Sequence, residues 1–139
     1  RRNDGTTALM YACKNGHKNI VQLLLNHADI TIELNARNFC GMTAFLVACA
    51  YGHTNVVHLL LDYHVDKIVD LNARSNNGMT AFMLACNNGH KDVVKLLLKS
   101  AEIRSIDTSE PNNLSRDMKD FIDLHQEKSK EKNEEKNKN

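Results

Sequence analysis

The chain has 139 residues, a formal charge of +1, 42% hydrophobic and 25% charged residues, one proline and no tryptophan. That is enough for one domain with a modest core, and its near-neutral charge excludes a global pull toward nucleic acid or a membrane surface. No apolar run approaches the roughly 18 residues of a membrane span, and no charged n-region followed by an apolar h-region opens the chain.

Residues 1–4 precede the first of three nearly repeated segments. These are GTTALMYACKNGHKNIVQLLL from Gly5, GMTAFLVACAYGHTNVVHLLL from Gly41 and GMTAFMLACNNGHKDVVKLLL from Gly78. The three glycines are spaced 36 and 37 residues apart, a period characteristic of stacked arrays. In the second copy, Phe45, Ala48 and Cys49 share one face of a first helix, while Val56, Val57, Leu59, Leu60 and Leu61 line a second. Thr7, Thr43 and Thr80 are placed to cap the first helices. Gly16, Gly52 and Gly89 end them, since glycine tolerates positive φ. Each unit is therefore expected to be a helix, a tight turn and an antiparallel helix. Helices of two or three turns are below the ~12–15 residues that are marginal alone in water. The Leu triplets need a neighbouring unit to cover them, at ~1.5–3 kcal/mol per buried leucine.

Pro111 interrupts the pattern, and residues 109–125 form a linker and a terminal helix. Met118, Phe121, Ile122 and His125 carry its apolar face, with Asn113 or Ser115 as N-cap. Residues 126–139, EKSKEKNEEKNKN after Gln126, hold no apolar side chain and are expected to be a disordered or loosely helical Lys/Glu/Asn-rich tail.

The series Gly-x-Thr-Ala-[Leu/Phe], Ala-Cys-x-x-Gly-His, [Ile/Val]-Val-x-Leu-Leu-Leu and Leu-Asn-Ala-Arg resembles the ankyrin repeat from Arg1 to about Thr108. The resemblance implies an all-α ankyrin-repeat solenoid of paired helices with β-turn fingers, plus the C-terminal capping helix. The repeats are then 5–40, 41–77 and 78–108, with 1–4 the end of a preceding one. Three departures matter. The family's Thr-Pro-Leu-His is Thr7-Ala8-Leu9-Met10, Thr43-Ala44-Phe45-Leu46 and Thr80-Ala81-Phe82-Met83, so local rigidity is expected to be lower. The period exceeds the family's ~33, with the surplus in NHADITIE (26–33) and DYHVDKIVD (62–70), where a longer second helix or an extended segment is expected. The Gly-Ala-Asp after the second helix is not kept. Arg1 takes the slot of Arg37 and Arg74, so the chain reads as a piece of a longer protein whose first unit exposes an apolar face.

Cys13, Cys49 and Cys86 occupy one slot of the repeat. Equivalent slots lie ~8–10 Å apart in stacked units, beyond disulfide reach. They read as packing atoms in a reduced setting, and the expected location is intracellular, cytoplasm or nucleus. Their i, i+4 partners His17, His53 and His90 raise a metal or redox reading, but each pair is split by a glycine and no CxxC spacing exists. The histidines are expected to bond neighbouring backbone, with no metal and no cofactor. No GxSxG, phosphate-cradling loop or HExxH is present, so no catalysis is expected.

The resemblance implies a protein–protein interaction scaffold that binds through the concave surface of turn tips and first-helix ends. An alternative is the recognition module of a larger enzyme or ubiquitin-ligase-type adaptor with its effector domain upstream of Arg1. Expected binding residues are Phe39, Met42 and Tyr51 of the middle unit, Met79 and Asn88 of the third, and Arg37 and Arg74 as a basic column. Aromatic, Met and Arg side chains are enriched at interface centres. Each Arg could instead pair with a nearby acid. The expected partner is a protein, not nucleic acid or membrane. The array is expected to be a monomer, with its N-terminal end as the route to self-association.

Overall fold

Three threonines set the frame. The Thr7, Thr43 and Thr80 hydroxyls accept from the backbone N–H of Met10, Leu46 and Met83 at 3.1, 3.2 and 3.2 Å. Each satisfies one orphan donor of a helix start. The computed structural model describes residues 2–27, 34–63 and 69–137. Its described helices are α1 (Ala8–Lys14), α2 (Lys18–Leu25), α3 (Ala44–Ala50), α4 (Thr54–Tyr63), α5 (Ala81–Asn87), α6 (Lys91–Ala101) and α7 (Arg116–Asn137). None is long and apolar enough to cross a membrane. The expectations for Arg1 and for most of the two surplus segments fall outside the described residues.

The helices make two layers. First helices α1, α3 and α5 stack side by side; second helices α2, α4 and α6 stack behind them, and α7 packs against α6. Leu9, Phe45 and Phe82 fill the same slot of successive units, as do Val21, Val57 and Val94, all buried. The middle unit shows what stacking removes. All residues from Ala44 to Cys49 of α3 are buried, because neighbours cover it on both sides. In unit one, Tyr11 and Ile20 are 49% and 48% exposed, whereas their equivalents Val47 and Val56 are 7% and 1% exposed. With Ala8 and the exposed Leu23 they make an apolar end face.

The missing Pro and His of the capping tetrapeptide are partly replaced in unit one. The Sδ of Met10 accepts from the Thr7 N–H at 3.5 Å, a weak link that closes a capping box. In the second layer, the Tyr63 hydroxyl at the end of α4 donates to the Leu25 carbonyl at the end of α2.

Ser115 is the N-cap of α7, accepting from Met118 N–H at 3.3 Å. Met118 and Ile122 are buried and Phe121 and His125 half-buried, as a capping helix requires. The ammonium of Lys91 closes the contact, 2.8 Å from Asp117 and 5.6 Å from the Phe121 ring centroid. Of the two states expected for the tail, disordered or loosely helical, residues 126–137 take the helical one and continue α7 to Asn137. Two physical reasons support it. The packed turns from Arg116 to His125 supply the nucleus that an isolated segment lacks, and Lys, Glu and Gln propagate helix well with no Gly or Pro to stop them.

Candidate functional site

The tips of the units form a bonded row. Phe39 N–H donates to the Asp4 carbonyl at 2.9 Å, and one repeat later Asn76 N–H donates to the Cys40 carbonyl at 3.0 Å. The Asn76 side-chain amide also donates to the Phe39 carbonyl at 2.7 Å. Gly41 makes this approach feasible: a Cβ there would sit 2.6 Å from the Asn76 nitrogen. Within its finger, Asn38 accepts from Cys40 and Met42 N–H at 2.9 and 3.0 Å. The fingers are braced against one another, so a surface built on them is pre-organised.

The histidines act at the opposite ends of the first helices. His53 Nε2 lies 2.7 Å from the Lys14 carbonyl, and His90 Nε2 lies 2.8 Å from the Ala50 carbonyl. Each ring rests on the turn glycine of the unit before it; a Cβ on Gly16 would come 2.6 Å from His53 Nδ1. The repeated Gly-His pair is thus a stitch between units, and its backbone bonding is that expected from sequence. Cys13, Cys49 and Cys86 are buried free thiols beneath it. Burial pushes Cys13 and Cys86 up to about 12 and Cys49 higher still, because a thiolate loses its solvation there. Among the described residues no three His, Cys, Asp or Glu side chains converge as a metal site would need.

The expected binding residues divide into two groups. Phe39, Met42, Met79, Arg37 and Arg74 lie in or beside the fingers; Tyr51 and Asn88 are the C-caps of α3 and α5. A seven-residue helix, about 10 Å long, separates the groups. Phe39 is 74% exposed, although one edge of its ring lies against Gly5, where a Cβ would come within 3.2 Å of Cδ1. Tyr51 is 50% exposed, with the Lys14 ammonium 5.6 Å from its ring centroid. Met42 is half-buried against the core, and Met79 is half-buried too. Asn88 spends its side-chain amide on the Leu84 carbonyl at 2.9 Å.

The two arginines are braces. Arg37 Nη2 donates to the Arg74 carbonyl. Arg74 donates to the Gly78 carbonyl at 3.0 Å and pairs with Asp107 at 2.9 Å. The Asp107 carboxylate also accepts from Ser109 N–H at 2.9 Å. Ser109 and then Arg74 hold it below its ordinary pKa. Each guanidinium therefore bonds to the array while its residue stays exposed.

Sequence reading passed over the asparagine ladder. Asn35 Oδ1 accepts from Asp70 N–H at 2.8 Å, and Asn72 Oδ1 accepts from Asp107 N–H at 2.7 Å. The Asn72 amide adds a bond to the Ser105 carbonyl at 2.7 Å. The signal was the recurring Leu-Asn-Ala-Arg, whose Asn is spaced at the repeat period.

A family model described as "Ankyrin repeats (3 copies)" matches residues 32–107, and one described as "Ankyrin repeat" matches residues 4–38. No curated protein matches the chain.

Proposed function

The chain belongs to the ankyrin repeat family, and on that premise we propose that it grips a partner protein through its finger row and first-helix ends. Ankyrin repeats are generally protein–protein interaction modules and typically carry no catalysis of their own. The observation that carries the finer reading is the exposure of Phe39, at the tip leading into the middle unit, and of Tyr51 within it. Each ring has a neighbour from the start of the array, Phe39 at Gly5 and Tyr51 beneath Lys14. Rigid, exposed aromatics are the side chains from which interface centres are made, and little ordering entropy is lost when they bind. Met42 and Met79 supply adaptable apolar surface beside the tips. Arg37 and Arg74 hold the fingers in register, and their contribution to a partner is to position that surface.

Affinity capture with the whole chain, followed by identification of the bound protein, supplies the ligand for the test. Phe39→Ala and Tyr51→Ala, both at exposed positions, should then each weaken binding by about tenfold or more. Gln22→Ala, exposed on α2, should leave it unchanged. Loss of binding in the α2 variant, with both aromatic variants binding normally, would move the interface to the second-helix layer. The working unit in this reading is a monomer. Association through the apolar end face of Tyr11, Ile20 and Leu23 would show as mass rising with concentration in sedimentation equilibrium.

A further inference from the structure

Away from the fingers, α6 and α7 enclose a groove of about 450 Å³. Its rim carries Lys95 and Lys99 from α6, and Lys128, Lys132 and Lys136 from α7. Leu98 and His125 line it between them, and Glu102 is its one acid. Five ammonium groups against one carboxylate is a local excess on a chain whose total charge is only +1. None of the five is in an ion pair among the described residues; the lysines that are paired are Lys91 and Lys119.

The spacing adds a second observation. Lys95 and Lys99 stand at i, i+4, as do Lys128 and Lys132, and Lys132 and Lys136. Residues at that spacing share one face of a helix, so each row presents its lysines on one side. Asp92, Glu131 and Glu135 stand three residues from Lys95, Lys128 and Lys132, yet none of these acids lines the groove, where Glu102 is the one carboxylate. The groove is thus lined by more cations than acids, and an anion bridging the two helices would meet both lysine rows. Anchoring by Met118 and Ile122 holds α7 beside α6, so the two lysine rows face one space.

We propose that this groove binds a compact polyphosphate, a small molecule bearing several phosphate monoesters clustered on one scaffold. Its volume lies in the range of small-molecule sites. A phosphate monoester places up to two charges and three acceptor oxygens on one centre. An extended acidic peptide presents one charge on the same face only about every 7 Å, so it leaves part of the lysine cluster unanswered. Single-stranded nucleic acid fits poorly, because no aromatic ring other than His125 lines the groove to stack on bases. Lysine also suits the role: a compact point charge with three rotatable donors meets phosphates set at several angles.

The test is calorimetric titration of the whole chain with inositol hexakisphosphate at about 0.1 M salt, where charges more than ~10 Å apart are screened. Binding should be far tighter than that of inorganic phosphate and should weaken as salt rises. Lys99→Gln and Lys132→Gln should each weaken it about tenfold, while Lys18→Gln, exposed on α2, should not. Glutamine keeps helix propensity, and far-UV circular dichroism checks the fold of each variant. Bound ligand should also slow amide exchange across residues 127–137, as an anion bridging α7 to α6 requires. Phosphatidylcholine vesicles with and without phosphatidylinositol bisphosphate separate a lipid headgroup from a free polyphosphate as the source; either result supports the groove. Unchanged affinity in Lys99→Gln and Lys132→Gln overturns the proposal. So does tighter binding of a polyglutamate peptide or an oligothymidylate than of the polyphosphate. Phe39→Ala and Tyr51→Ala should not alter this binding, so its failure is independent of the finger-surface reading.

Discussion

Replacing Gly52 by alanine tests the stitch between repeats. Gly52 has φ +75°, and an L-residue in that region costs about 1–2 kcal/mol. The added methyl would also lie 2.6 Å from Cγ of the His90 ring, closer than real carbon contacts allow. The ring must move, and with it goes the 2.8 Å bond to the Ala50 carbonyl, worth about 0.5–1.5 kcal/mol. The expected destabilisation is about 2–3 kcal/mol. Gly89 supplies the control: its φ is +73°, but no atom lies within 4 Å of the place its methyl would take. Gly89→Ala should therefore cost the backbone part alone, about 1–2 kcal/mol. Urea unfolding followed by far-UV circular dichroism gives both values. The assay becomes a double-mutant cycle when Gly52→Ala is repeated in His90→Ala, where no ring remains to be displaced. A coupling of about 1 kcal/mol is expected. Equal costs for Gly52→Ala and Gly89→Ala, with no coupling to His90, would refute the claim that this histidine holds adjacent units together.

Three further outcomes follow from the same structure. Ile122→Ala removes a fully buried side chain between α7 and α6 and should destabilise the chain by about 2–4 kcal/mol, read by the same urea titration, with early loss of helicity from α7. A thiol reagent at neutral pH should label Cys40 quickly and Cys13, Cys49 and Cys86 only on unfolding, since the first is exposed and the others are buried with raised pKa values; mass spectrometry of the labelled chain counts them. Asp107 has a folded pKa below its ordinary 3.8, so its contribution to stability is present above that value and is lost as pH falls through the folded pKa. Asp107→Asn should flatten that part of the acid-unfolding curve, and an unchanged curve would show that Ser109 and Arg74 do not hold the carboxylate.

The repeat frame was legible because it depends on local chemistry that recurs. A threonine three residues before the N–H it caps, a glycine where φ must turn positive and a Leu triplet within each second helix are properties of short windows, and the period exposes them. The same logic identified the capping helix from Met118 and Ile122. Composition left residues 126–137 open between disorder and loose helix, because it weighs a polar segment as if it were isolated; their continuation of a packed helix is a tertiary fact.

At the candidate surface the division is sharper. Sequence offered Phe39 and Tyr51 as aromatics near the turn tips and first-helix ends, while only the packed structure shows them half or more exposed, with Gly5 and Lys14 beside them. Arg37 and Arg74 look alike as a column in sequence; their partners, a carbonyl one repeat away and Asp107, exist only after stacking. The lysines of α6 and α7 are separated by a linker in sequence and face one groove only because Met118 and Ile122 dock the last helix.

What the sequence by itself determined is the unit: helix, turn and helix, capped and ended by residues whose preferences act over three or four positions. Tertiary structure decided which of those residues are left over for binding. Exposure and partnership are set by neighbours 33 to 40 residues away, through bonds such as Asn72 to Ser105 and His90 to Ala50, and no local preference encodes which atoms such neighbours will cover.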